Sequence, residues 1–203
     1  MLEHVWRRVE RAECFDRIVV ATDSERVAEV ARAFGAEVVL TGPAESGTAR
    51  VAQVVRDADV RVVNVQADQP LLEPAHLVAL VEGMREGEVA TLVAPGAGDP
   101  ANPARVKVEI DPRGLATSFT RRWSGAARSW WVHAGVYGFA PGMLALCLEA
   151  SAPRAGEDLE QLAWMEGGIR IRAIRVAHVA PSVDTPADLA FVRDRLRRAP
   201  EET

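Results

Sequence analysis

Apolar positions along this chain alternate between two periods. Leu2, Val5, Trp6 and Val9 recur at steps of three and four, which predicts an amphipathic helix from Leu2 to about Glu13. The period then shortens. Arg17-Ile18-Val19-Val20-Ala21-Thr22 is a short apolar run of strand type, and Thr22-Asp23-Ser24 behind it offers side-chain oxygens that cap a second helix, from about Glu25 to Phe34, with Gly35 ending it. A strand at Glu37–Leu40, a helix at Ala49–Asp57 and an apolar strand at Val60–Val65 continue the alternation. Because parallel strands need crossover segments, this order predicts a parallel sheet with helices on both faces.

A helix at Pro74–Arg85, with its proline tolerated in the first turn, and a strand at Ala90–Ala94 follow. The winding then pauses. Val106–Ile110 and Leu115–Phe119 flank Asp111-Pro112-Arg113-Gly114 and predict a hairpin, so 102–132 is expected to form an arm or subunit contact on a single domain spanning 1–203. A strand at His133–Phe139, helices at Pro141–Glu149 and Asp158–Glu166, a strand at Ile169–Val176 and a last helix from Thr185 to Arg198 complete the pattern. The chain shows no internal repeat and no low-complexity linker.

Composition narrows the functional classes. With 48% hydrophobic and 26% charged residues, and no apolar run of eighteen, no membrane span is expected. Nothing resembles a secretory leader, which leaves the cytoplasm as the expected location. A net charge of −5, with Arg121, Arg122 and Arg128 the only crowded cations away from the termini, argues against nucleic acid as a partner. Cys14 and Cys147 lie far apart without a CxxC or Cys/His spacing, so two buried thiols are expected rather than a disulfide or a zinc site.

Three clusters carry candidate chemistry. Asn64, Gln66 and Asp68 put polar side chains on one side of an otherwise apolar strand, at the end where open sheets bind ligands. Helix capping is the competing reading for Asp68. Asp184 stands before Thr185-Pro186-Ala187-Asp188, where Thr185 is a plausible N-cap supported by Asp188, so Asp184 is open between helix initiation and ligation. Taken together, two carboxylates from separate strand ends suit magnesium, which takes a few protein oxygens and leaves the rest to phosphate and water. Ser46-Gly47-Thr48-Ala49-Arg50 is the third cluster: a helix opening whose glycine permits close approach and whose arginine could meet a phosphate or a base. A plain N-cap followed by a solvent-facing arginine reads the same way.

Seven blocks occur in order: Ile18-Val19-Val20-Ala21-Thr22-Asp23, Ser46-Gly47-Thr48-Ala49-Arg50, Asn64-Val65-Gln66-Ala67-Asp68-Gln69-Pro70, Asn102-Pro103 with Val106-Lys107-Val108, Gly135-Val136-Tyr137-Gly138, Leu159-Glu160-Gln161-Leu162, and Val183-Asp184-Thr185-Pro186-Ala187-Asp188-Leu189. In this order the chain resembles the CMP-Kdo synthetases, also called 3-deoxy-manno-octulosonate cytidylyltransferases. The resemblance implies an α/β fold of the Rossmann-like nucleotidyltransferase type, akin to glycosyltransferase-A, with a mixed sheet, helices on both faces and a β-hairpin arm. It implies magnesium-dependent transfer of CMP from CTP to a 2-keto-3-deoxy sugar acid (Kdo), with release of pyrophosphate, for lipopolysaccharide or a related surface polysaccharide. A homodimer joined partly through the hairpin is implied as well.

Carried over by position, Asp68 and Asp184 resemble the Mg2+ ligands and, with Gln66, the catalytic set. Ser46, Gly47, Thr48, Arg50 and Gln66 resemble the nucleotide-binding residues, and Arg121, His133, Tyr137, Glu160 and Gln161 those that hold the sugar acid. For His133 a hydrogen-bonded core role is the competing reading. The metal would lower the pKa of the attacking sugar hydroxyl and neutralise phosphate charge, while the planar fork of Arg121 suits a carboxylate.

Departures accompany the match. The family places a strand and a glycine-rich phosphate loop before the first helix, where this sequence begins, so the natural start is expected upstream of Met1. Without that strand, unpaired backbone and a cavity are expected in the sheet. Ala67 and Gln69 stand where a glycine and a glutamate are usual, and the segment after Arg121 lacks an Ile-Pro. The alternatives are a CMP-sialic acid synthetase or other sugar nucleotidyltransferase, and a catalytically silent homologue serving as a binding or dimerisation module. Retention of both Asp68 and Asp184 favours an enzyme.

Overall fold

The computed structural model describes residues 1–55, 57–97, 99–123, 130–151 and 159–198. Arg128, with the rest of 124–129 in the expected arm 102–132, and the expected helix start at Asp158 lie outside these residues. Helix α1 (Leu2–Arg11) buries the stripe Val5, Trp6 and Val9 and leads into β1 (Val20–Thr22). Ser24 has extended backbone and accepts from the Val27 N–H, starting α2 (Glu25–Ala33), and Gly35, at φ +90°, ends it. The N-cap Ser46 starts α3 (Gly47–Ala52) two residues before the predicted Ala49, and the helix ends well short of Asp57. The remaining elements are β2 (Val38–Leu40), β3 (Val62–Val65), α4 (Pro74–Gly83), β4 (Glu88–Pro95), β5 (Lys107–Ile110), β6 (Ala116–Thr120), β7 (Trp131–Phe139), α5 (Met143–Ala150), α6 (Glu160–Glu166), β8 (Arg170–Arg175) and α7 (Pro186–Arg198).

The parallel sheet read from the strand–helix alternation is corrected by strand direction. β4 and β8 are parallel, but β7 runs antiparallel to β3, β4 and β5, in a sheet ordered β6-β5-β7-β4-β8 with β3 added at the far end of β7. Among the described residues only the hairpin β5–β6 stands between β4 and β7, and β7 returns antiparallel to β4. α5 and α6 lie between β7 and β8, and β8 runs parallel to β4 and so opposite to β7. The mixed sheet implied by the family resemblance is the one that forms.

Central β4 shows how both faces are covered. Val89 and Val93 pack with Phe139, Cys147 and Trp164 on the α5–α6 side, while Ala90 and Leu92 pack with Val5, Val9, Leu77 and Leu80 on the α1–α4 side. The hairpin belongs to the sheet. Val108 and Phe119 point into the first of these cores, and the Ala173 N–H donates to the Gly114 carbonyl at 2.9 Å, tying the hairpin turn to β8.

β1 and β2 form a separate parallel pair. Between β1 and β3 lies a cavity of about 390 Å³ lined by Val5, Trp6, Val20, Val63 and Val65 among others. Among the described residues β3 has no strand partner on that edge. The expectation of two buried thiols is half corrected: Cys147 is buried, whereas Cys14 is partly exposed on the α1–β1 connection. No helix among the described residues is long and apolar enough to cross a membrane.

Candidate active site

β3 is shorter than the apolar run suggested. It stops at Val65, and Gln66 to Asp68 turn away, with the Gln69 N–H donating back to the Gln66 carbonyl at 3.4 Å. The polar stripe 64–66–68 therefore does not continue on one face. Asn64 is buried beside Gly47 of α3, Gln66 borders both the β1–β3 cavity and a larger one of about 440 Å³, and Asp68 lines the larger one.

The Val183 N–H donates to the Asp68 carbonyl at 2.9 Å and lays the β8–α7 loop against this turn. Asp184 thereby enters the same pocket. Burial, and secondarily the Asp184 charge, push the Asp68 carboxyl above its ordinary pKa. Asp68 Oδ1 is out of solvent and has no hydrogen-bond partner among the described residues. A hard divalent cation fits here, because it would satisfy that oxygen and cancel the repulsion. Asp184 accepts from Ser182 Oγ at 2.5 Å. Behind it, Asp188 accepts from the Thr185 N–H at 2.8 Å while Thr185 Oγ1 accepts from the Asp188 N–H at 3.2 Å, a reciprocal cap that leaves the Asp184 carboxylate in the pocket.

Arg121, His133, Tyr137, Glu160 and Gln161 line the same pocket. Thr91 Oγ1 donates to the Val136 carbonyl at 2.8 Å, so it accepts from His133 Nε2–H at 2.9 Å, which leaves Nδ1 as an acceptor. Burial, then the nearby Arg121 cation, hold the His133 pKa down at about 3. The imidazole is neutral. Tyr137 accepts from Gln161 Nε2, packs edge-on to Trp164 with centroids 5.1 Å apart, and is kept protonated by burial and the Glu160 charge. Glu160 Oε2 is buried without a hydrogen-bond partner among the described residues. Two buried carboxylate oxygens without hydrogen-bond partners among the described residues thus share one pocket.

The helix-opening cluster sits apart. Gly47 and Arg50 line the β1–β3 cavity; Ser46 caps α3 at Ala49 N–H (3.1 Å), and Thr48 is buried with its hydroxyl unpartnered among the described residues. Arg50 does not face solvent freely: it pairs with Asp23 at 2.8 Å and with Thr41 Oγ1 at 2.7 Å. Gln66 is the residue where the two cavities meet.

A family model described as cytidylyltransferase matches residues 1–166. The chain belongs to the cytidylyltransferase family. Relatives include the 3-deoxy-manno-octulosonate cytidylyltransferases of Myxococcus xanthus, 39% identical over 97% of this chain and 86% of that protein, and of Escherichia coli, 36% identical over 95% and 84%. Among solved structures, a CMP:2-keto-3-deoxy-manno-octonic acid synthetase complexed with CTP superposes with a TM-score of 0.87 at 32% identity, covering 97% of this chain and 87% of that one. A 4-diphosphocytidyl-2C-methyl-D-erythritol synthase from Anaerococcus prevotii, at TM-score 0.68 and 11% identity, shares the fold.

Several residues that shape this cytidylyltransferase pocket had no role assigned from the sequence, although Lys107 and Gly135 stand in its ordered blocks. Thr91 fills a bulge where Leu92 pairs with Ala134 but Thr91 with Tyr137, and its hydroxyl serves both the bulge and His133. Gly135 lies in that bulge, and a Cβ there would stand 3.1 Å from Gln66 Oε1 and 3.2 Å from Gln69 Nε2. Lys107, fully buried, donates to the Asn102 carbonyl at 2.5 Å and the Arg121 carbonyl at 2.8 Å. A lysine beginning a hairpin strand offers no signal of burial, because the groups that satisfy it come from two other segments.

Proposed function

We propose that this cytidylyltransferase transfers CMP from CTP to 3-deoxy-manno-octulosonate. The Asp68 carboxylate carries the reading: one of its oxygens is buried and unpartnered among the described residues, a second carboxylate lies beside it, and a set of groups suited to a sugar acid shares the pocket. In the reaction the anomeric hydroxyl oxygen bonds to the α-phosphorus of CTP, the bond from that phosphorus to the β-phosphate oxygen breaks, the hydroxyl proton is released, and pyrophosphate leaves. Magnesium held by Asp68 and Asp184 would neutralise phosphate charge and acidify the hydroxyl.

The chain's own residues divide the remaining work. The Arg121 guanidinium matches the sugar carboxylate, and its charge also bears on His133 and Tyr137. The unprotonated Nδ1 of His133 and Glu160 Oε2, which has no partner among the described residues, accept sugar hydroxyls, while the Tyr137 hydroxyl, already accepting from Gln161, donates. Gln66 bridges the sugar side to the cavity beside Gly47 and Arg50, where the cytidine end is proposed to lie, with Ser46 and Thr48 shaping the turn. A homodimer using the hairpin is proposed from the family resemblance; light scattering at a dimer mass tests it.

The deciding experiment is pyrophosphate release with CTP and magnesium across a panel of keto-sugar acids. Release with 3-deoxy-manno-octulosonate above all others is expected. Preference for a sialic acid would move the assignment within the family, and no release with any acid would leave a binding module.

A further inference from the structure

At the rim of the pocket Glu73, His76 and His178 converge, and none of them belongs to the sets described above. Glu73 occupies the N-cap position of α4 yet caps no N–H with its side chain. Its Oε1 lies 2.6 Å from His178 Nε2, and its Oε2 lies 3.4 Å from His76 Nε2. His76, three residues on and therefore on the same side of the first turn, is 8% exposed, and its ring meets that of His178 edge-on with centroids 5.3 Å apart. One ligand atom from each of the three falls within 4.8 Å of the others.

We propose that Glu73, His76 and His178 form a binding site for a first-row transition-metal dication, with zinc the best match, which clamps the start of α4 to the β8–α7 loop. Two imidazoles and one carboxylate are the donor set that zinc takes with a water as fourth ligand. Magnesium, which favours an all-oxygen set, is selected against here and for at the aspartate pair. At zinc bond lengths of about 2.0–2.2 Å, tetrahedral ligand atoms stand roughly 3.3 Å apart. A turn of the His178 side chain, which is 61% exposed, would bring it to that spacing. Burial lowers the pKa of His76, keeping its ring neutral and its lone pair available.

The position gives the site its consequence. Glu73 and His76 follow Asp68 closely along the chain, and His178 precedes Asp184 by a similar stretch, though Glu73 and His178 are 105 residues apart. A bound metal therefore cross-links the two segments that carry the acidic pair. This holds whichever sugar acid the pocket takes.

The test is a zinc titration of the metal-stripped chain in excess magnesium, read by competition with a chromophoric chelator, with cobalt absorption as a second reading of the ligand set. One equivalent binding at micromolar concentration or tighter is expected. Losing even an outer partner of a metal site costs about 10–100-fold in affinity, so His178→Ala and Glu73→Gln should each weaken binding by at least about tenfold. Asp68→Asn should leave it unchanged. Zinc should raise the melting temperature of the unsubstituted chain but not of His178→Ala, whose own melting temperature without metal reports its folding. Absence of zinc binding, equal binding by His178→Ala, or a loss in Asp68→Asn as large as in His178→Ala would each overturn the proposal.

Discussion

The backbone N–H of Val183 donates to the carbonyl of Asp68 across 2.9 Å, and this bond makes neighbours of two carboxylates far apart in the chain. Its cost is electrostatic. Asp68 is withdrawn from water with Asp184 facing it, and nothing among the described residues hydrogen-bonds its Oδ1.

Asp68→Asn should therefore separate activity from stability. Pyrophosphate release should fall by more than about a hundredfold, the scale of losing a positioned electrostatic element. The folded pKa of Asp68 is raised, so the stability linked to its protonation is present below the unfolded value and is lost as pH rises through the folded value. Above that window Asp68→Asn should melt higher than the parent, by about 2–4 °C for each kcal/mol of repulsion removed. Millimolar magnesium should stabilise the parent and not the variant, as thermal melts will show.

His133 should not titrate in the range usual for histidine. With its pKa near 3 against an ordinary 6.5, its NMR ring signals should stay constant between pH 5 and 8, and no limb of the kcat/KM profile near pH 6.5 should disappear in His133→Gln. The sign for stability follows. A histidine with a lowered folded pKa contributes stability present above about 6.5 and lost as pH falls toward 3, so acid melts of His133→Gln should be flatter in that window.

Lys107→Met tests a positioning role. Lys107 holds the Arg121 carbonyl at 2.8 Å, and its loss should raise KM for the sugar acid by about tenfold or more, the equivalent of one charged hydrogen bond at about 1.5–3 kcal/mol. KM for CTP should move little. Equal changes in both would show a general structural effect instead.

Glu88→Ala should be among the most destabilising single changes. Arg172 donates to Glu88 through Nε at 2.5 Å and Nη2 at 3.1 Å, both side chains are buried, and Arg172 also donates to the Arg113 carbonyl of the hairpin turn at 3.0 Å. Removing one partner of such a pair costs about 3–5 kcal/mol, measurable by urea unfolding.

Features carried by adjacent residues were legible without coordinates. The α7 cap is encoded in Thr185 and Asp188, three residues apart, and the structure closes that cap as written. The kind and order of elements followed likewise from local periodicity, since each helix or strand advertises its buried face in its own residues. Strand direction did not follow. β7 reads as one more apolar strand, and only its pairing with β3, β4 and β5, segments distant in the chain, makes it antiparallel.

The sequence by itself determined the elements, the caps and, through seven ordered blocks, the cytidylyltransferase kinship. The tertiary structure alone decided that Asp68 meets Asp184, that His133 is neutral because it is buried and stands beside Arg121, that Lys107 is buried, and that Glu73 meets His178 across 105 residues. The physical reason is the same in each case. Burial and charge depend on which distant segments come within a few ångströms, and no local pattern of residues encodes that distance.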